Sequence, residues 1–236
     1  VRGWRRIGRM VMSPISEQDR ARVSRAVHDA EKQTSGEIVT ILARRSDDYR
    51  DLVLLWATLV VFAALGLMAS VPMSWIDMLR GFALGWQARI DHHEIFSAVL
   101  IVLAVKFLVV CWIVSLWPVR MALTPRRVKA HRTRARAIDY FRVGAERRTV
   151  GRTAVLIYVS LAEHQVEIVA DQSIHSLVSP ESWRTAAASL VDAMRAGRPA
   201  DGLVDAINQV GMLLAAHFPP VDSNPNELPD RLIEVE

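Results

Sequence analysis

The chain of 236 residues has a single cysteine, Cys111, which excludes a disulfide framework and every multi-cysteine metal motif. It has no GxGxxG turn, no P-loop and no GxSxG elbow, so the signatures of dinucleotide binding, phosphate-loop chemistry and α/β-hydrolase catalysis are missing. The segment 144–151, GAERRTVG, spaces its glycines seven apart and fits neither phosphate loop. The opening stretch VRGWRRIGRMVMS is basic but has no apolar run before Ser13, so no secretory signal is expected there. Charge is scarce for so apolar a chain: 23% charged against 51% hydrophobic, with a mean hydropathy of +0.19. That excludes intrinsic disorder and argues against a wholly soluble globule.

What is present is unevenly distributed. The net charge of +4 combines a basic block at 119–152, with 11 basic and 2 acidic side chains, and an acidic region at 153–236, with 4 and 12. Such a balance is no nucleic-acid signal, and no nucleic-acid partner is expected. Between the flanks, Leu52–Val71 is twenty residues without a charge, enough at 1.5 Å per residue to cross a ~30 Å hydrocarbon core. Ile95–Val119 is longer and is interrupted only by Lys106. Two transmembrane helices are the reading, since too little chain remains to wrap two such helices on all sides. Trp56, Trp112 and Trp117 lie near span ends, as interfacial aromatic belts require. Lys106 falls near mid-bilayer, where an ammonium costs about 2.5–3.5 kcal/mol on insertion scales. A helix contact or partial snorkelling is favoured over a transport role, because two spans form no transporter by themselves.

Orientation follows from Lys and Arg near the spans. Residues 32–51 and 120–139 carry eleven, and the connector 72–94 carries two, Arg80 and Arg89. The positive-inside rule puts both termini in the cytoplasm. In the connector, Trp75, Leu79, Phe82, Trp86 and Ile90 recur at helical spacing, which predicts an interfacial or capping helix. Asp91-His92-His93-Glu94 reads as a solvated juxtamembrane turn rather than a ligand set.

The flanks read as two pieces of one α/β module. Ser16 with Asp19 forms a capping pair ahead of a helix carrying Val23, Ala26, Val27 and Ala30, with Gly36 placed to stop it. Glu37–Ala43 is then a strand. Arg126–Arg142 predicts a basic helix, Arg152–Ser160 a central strand, and Gln165–Ala170 its hairpin partner after a turn at Leu161–His164. Ser179-Pro180 starts a helix through Trp183, Leu190 and Met194 that ends at Gly197. A last helix runs to Phe218-Pro219-Pro220. One strand before the spans cannot be a domain alone. An even number of spans returns both flanks to one face, so a single sheet can be completed from both. The chain therefore divides into a basic segment 1–14, a first domain part 15–51, a transmembrane hairpin 52–119 (spans 52–71 and 95–119, connector 72–94), a second domain part 120–219 and an acidic tail 220–236 read as disordered.

These residues also resemble a known family. TSGEIVTILAR, RRTVGRTAVLIYVSLAEHQVEIVADQSI, the following ESW and GLVDAINQVGMLLAAHFP are similar to the TPM domain, over about residues 15–45 and 130–219. The resemblance implies an α/β sandwich with a mixed sheet, here interrupted by the inserted transmembrane hairpin. The family includes a thylakoid-lumen protein linked to photosystem II repair, and its members include weak acid phosphatases and metal binders. A bacterial member would sit in the inner (plasma) membrane. This chain departs from the family by splitting the domain and by facing the cytoplasm.

No acid/base or nucleophile constellation stands out, and His28, His131, His164, His175 and His217 are scattered. Asp171 ends a strand, the place where ligand sites gather in open α/β sheets, with Glu181 at the next helix start as a helper. A strand-end cap is the plainer role for Asp171. Glu37 matches a family-typical position. A metal on these carboxylates would be Ca²⁺ or Mg²⁺ rather than Zn²⁺. The expected function is a membrane-tethered interaction module with a lipid bilayer and a membrane-protein partner, serving assembly, maintenance or quality control of a membrane complex. The alternative is a weak metal-dependent phosphatase.

Overall fold

The computed structural model describes residues 15–72, 74–75, 78, 92–144, 153–220 and 230–235. The expected connector helix over Trp75 to Ile90 lies almost wholly outside these residues, as do segments 1–14, 145–152 and 221–229. The chain forms two units, one from residues 1–47 and 126–236, the other from 48–125.

The first unit is built on a four-stranded mixed sheet in the order β3 (Gln165–Ala170), β2 (Ala154–Ser160), β1 (Glu37–Ala43), β4 (Ile233–Val235). Strand β1 (Glu37–Ala43) pairs in parallel with β2 (Ala154–Ser160), from Glu37 against Ala154 to Ala43 against Ser160. Strand β3 (Gln165–Ala170) runs antiparallel to β2. All seven residues of β1 and of β2 are buried, as expected of near-continuous apolar strands covered on both faces. Alternation divides their side chains. Ile38, Leu42, Val155, Ile157 and Val159 enter the larger core under α1 (Glu17–Glu31), α7 (Pro180–Arg195) and α8 (Pro199–His217). Val39, Ile41, Leu156 and Tyr158 enter a smaller core under Ala137 and Phe141 of α5 (Arg126–Gly144). The Tyr140 ring stacks on Tyr158 with centroids 5.8 Å apart.

A parallel pair needs a crossover, usually a helix. Here α5 supplies it, and the apolar hairpin is inserted in the same connection. The sheet is thus completed from both flanks.

Local signals worked where they were strong. Ser16 and Ser179 accept from the backbone N–H of Asp19 and Ser182, capping α1 and α7. Gly197 has a φ of 77°, the left-handed value that favours glycine at a helix end. Gly36 plays a different part from the expected helix stop: α1 ends at Glu31, and Gly36 lies where a Cβ would meet Leu214 Cδ1 at 3.1 Å and the Thr153 carbonyl oxygen at 3.2 Å. Gly202 in α8 is tighter, for a Cβ there would stand 2.5 Å from Ala193 Cβ and 2.8 Å from Leu190 Cδ1. Gly202→Ala is expected to lower stability by about 1–3 kcal/mol through overpacking, despite its better helix propensity, as read by chemical denaturation.

Part of the acidic tail departs from the disordered reading. Residues 233–235 form β4, paired in parallel with β1 through Ile41–Ile233, Leu42–Glu234 and Ala43–Val235. A short helix α6 (Gln172–His175) follows β3.

The second unit contains α2 (Arg50–Ser70), α3 (His92–Ser115) and α4 (Trp117–Leu123). The second apolar helix does not run unbroken to Val119 as expected. Leu116 is extended, at φ −64° and ψ 122°, because Pro118 lacks the N–H that would continue the α3 ladder. Arg120 closes the base of this unit, donating to the carbonyls of Asp48 (2.7 Å) and Ser115 (2.8 Å). Both α2 and α3 are long and apolar enough to cross a membrane. Their large side chains point outward, Phe62 being 66% and Trp112 69% exposed, and Lys106 is exposed on α3.

Candidate functional site

Glu37 and Asp171 meet around one residue. Glu37 is the register partner of Ala154, and Asp171 flanks Ala154 from the other side. The Asp171 carbonyl accepts from Ile174 and His175 and so begins α6. Its carboxylate takes over in the ladder, where Oδ2 accepts the Ala154 N–H at 3.0 Å while the Asp171 N–H donates to the Ala154 carbonyl. The side chain, 7% exposed, holds two elements at once. Asp171→Ala should therefore cost about 1–3 kcal/mol by orphaning a buried N–H, whereas Asp171→Asn, which keeps an acceptor, should cost far less. Thermal or denaturant unfolding of the pair checks this.

A third carboxyl belongs to the same sheet end. Glu31 Oε1 accepts the Ile38 N–H at 2.8 Å. Burial, with Glu37 and Asp230 beside it, pushes the Glu31 carboxyl up to about 8. Glu181 is not part of this group: it is exposed on the first turn of α7 and pairs with Arg184 at 2.5 Å. As a divalent-cation site the set fits poorly. Asp171 and Glu31 already accept backbone N–H bonds, Glu31 favours its neutral form, and no group of three His, Cys, Asp or Glu among the described residues is placed to hold a metal.

The strand-end rule, applied to the parallel pair, selects other residues. Asp171 lies at the carboxyl end of β3, but β3 is antiparallel, so that end is the amino end of β1 and β2. At the carboxyl ends of β1 and β2 stands a buried polar cluster that the sequence reading missed. Glu163 accepts the Ser46 N–H (3.1 Å) and the Ser160 hydroxyl, and Ser46 Oγ lies 3.1 Å from the Tyr158 hydroxyl. Burial lowers the Lys129 ammonium pKa while the Glu163 charge opposes that shift. Arg132 pairs with Asp47 at 2.6 Å, joining the residue where the first flank leaves the sheet to the helix on which the second returns. Burial and the cations of Lys129 and Arg195 likewise lower the pKa of His164, which holds the left-handed turn between β2 and β3 at φ 53°. Tyr158 is pushed up to about 12 by burial, so its phenol stays neutral and can donate. These groups gather at the carboxyl ends of β1 and β2. A signal was available in the two strand ends themselves, once their parallel pairing is known.

Residues 119–213 match the TPM domain. The NMR structure of BA42 protein from the psychrophilic bacterium Bizionia argentinensis shares the fold, with a TM-score of 0.53 and 20% identity over 94% of this chain and 97% of BA42. No curated protein matches the chain. The TPM match begins after β1, yet β1 completes the sheet that the matched residues build. The matched region supplies β2, β3 and most of the helices that cover them, so residues 119–213 are similar to the TPM domain, and the likeness in fold to BA42 extends across both flanks.

Proposed function

We propose that this chain is a membrane-tethered TPM-domain interaction module, which binds a membrane-protein partner and assists assembly, maintenance or quality control of a membrane complex. The observation that carries the tether is the insertion of two long apolar helices, with outward Phe62, Leu100 and Trp112, into a crossover whose two ends belong to one sheet. Two spans satisfy that connection, because they return the chain to the side it left. The basic helix α5, with Arg126, Arg127, Lys129 and Arg132 just after the second span, favours a cytoplasmic domain at the bacterial inner membrane. The non-enzymatic reading draws support from the use of the buried Asp171 and Glu163 and the half-buried Glu31, whose carboxyls each accept a backbone N–H.

The test is capture of the intact protein, solubilised in mild detergent, beside a variant lacking residues 15–47. An integral membrane protein that co-purifies with the first and not the second is the expected result. Mg²⁺- or Ca²⁺-dependent phosphomonoester hydrolysis by the pure chain, lost in Asp171→Asn, would instead establish the phosphatase alternative.

A further inference from the structure

The free edge of β1 is closed in an unusual way. Its neighbour β4 is three residues long and covers Ile41–Ala43, with one further bond from the Arg44 N–H to the Val235 carbonyl at 3.0 Å. Nearer the start of β1, Glu37 donates to Thr153 on the β2 side, so the next N–H, of Ile38, points to the edge. There it meets the Glu31 carboxyl rather than a strand. An edge with backbone groups open to a strand invites pairing with another chain, and a short covering segment is a common way to blunt it.

The segment at 230–235 is held by side chains of alternating character. Leu232 enters the larger core, Ile233 and Val235 pack against the smaller one, and Glu234 points back to α1. Arg20 grips Glu234 with two bonds, Nε to Oε1 at 2.7 Å and Nη2 to Oε2 at 3.0 Å, and His28 Nδ1 lies 2.9 Å from Asp230. The attachment is short and its ion pairs are partly exposed, which places it at the low end of local stability. Its tether is long for the path. The Phe218 carbonyl is bound by Ser35 and Thr34 beside the start of β1, and Asp230 is bound by His28 on the neighbouring α1. Eleven residues join these points, with a reach of roughly 35–40 Å when extended.

We propose that the β1 edge is a strand-addition site for an extended partner segment in which an acidic residue lies between two β-branched apolar ones, and that residues 230–235 are its exchangeable occupant in cis. Strand addition supplies main-chain bonds for affinity and alternate side-chain contacts for specificity, and both are present here. Arg20 selects the acid, and the smaller core receives both apolar neighbours. The proposal names the partner chemistry of the interaction module and rests on that reading for its biological meaning; peptide exchange and co-purification fail independently.

Glu31 makes the occupancy pH-dependent. Its neutral carboxyl donates to Asp230 of the segment while accepting from Ile38, and Glu37 of β1 and Asp230 both oppose its ionisation. Its value in the docked state is raised, so docking is strongest below the ordinary carboxyl range and weakens as pH rises toward about 8.

The test uses the full chain with a protease site inserted within residues 221–229, cleaved after folding, and a fluorescent peptide of residues 230–236. The cleaved protein should exchange its own segment for the peptide, and the uncleaved protein should take up about 100-fold less, because the tethered segment competes at millimolar effective concentration. Arg20→Ala should weaken uptake about tenfold, by loss of a bidentate charged contact. Raising the pH from 6.5 to 8.5 should weaken uptake by the parent, at most about tenfold per pH unit, and weaken uptake by Glu31→Gln in a His28→Asn background far less, because Gln keeps both hydrogen bonds without a titrating proton and His28→Asn removes the other titrating contact to Asp230. No exchange in a large excess of peptide, or exchange indifferent to both Arg20→Ala and pH, would overturn the proposal. A stable dimer of the intact chain with the segment exchanged between copies would overturn it in favour of self-association.

Discussion

Residues 126–235 expressed without residues 15–47 are expected not to fold. The first flank supplies Val23, Val27, Ile38 and Leu42 to the larger core and Val39 and Ile41 to the smaller. At about 1.5–3 kcal/mol for each buried aliphatic side chain, the six together match or exceed the roughly 5–15 kcal/mol net stability of a typical domain. The loss is more than apolar area. Without β1 the whole inner edge of β2 loses its ladder, and β4 has nothing to pair with. Flat near-ultraviolet circular dichroism and a non-cooperative denaturant transition are the expected readouts. A cooperative transition like that of the complete domain would show that the second flank is self-sufficient.

Removing the hairpin should have the opposite result. Joining residue 47 to residue 126 leaves α5 as the crossover between β1 and β2, an ordinary βαβ unit. The geometry permits a short join. Asp47 is clasped by Arg132, and Arg126 begins the same helix six residues earlier, about 9 Å along its axis at 1.5 Å per residue. A flexible link of about four residues reaches about 13 Å. The fused domain is expected to be soluble without detergent and to unfold in one cooperative step, while the full chain stays in the membrane fraction through an alkaline wash. The difference lies in α2 and α3, whose outward Phe62, Phe96, Leu100, Leu108 and Trp112 have no protein cover within their own unit. A fused domain that aggregates, beside a full chain released by the wash, would contradict both parts.

The sequence disclosed those features whose cause is local. Short runs of β-forming residues marked β1 through β3, Ser16 and Ser179 marked helix starts, and uncharged runs marked α2 and α3. The even number of expected spans allowed one sheet to be shared by both flanks. Features set by distant partners were hidden. Strand β4 is three residues with no turn signal, and it exists because Leu232 and Glu234 find the core and Arg20, some two hundred residues away. The break at Leu116 was local and legible, since Pro118 was there to read. Asp171 was found as a strand-end residue, and its bond to Ala154 agrees with the plainer role considered for it. Which end of the sheet it occupied depended on β3 being antiparallel to a strand that itself pairs in parallel across the inserted apolar hairpin. The Ser46, Tyr158, Ser160 and Glu163 cluster joins residues over a hundred positions apart, and no spacing rule reaches that far.

The account depends most on both flanks lying on one side of the membrane, with the connector on the other. Single cysteines placed in a Cys111→Ser background at Asp29 of α1, at Met78 of the connector and at Asp205 of α8, all exposed positions, report this directly. In intact cells an impermeant maleimide should label the cysteine at 78 alone, and those at 29 and 205 should react only after the membrane is opened. Labelling of positions 29 and 205 from opposite sides would contradict the shared sheet, and labelling of both from outside, with 78 protected, would contradict the cytoplasmic domain.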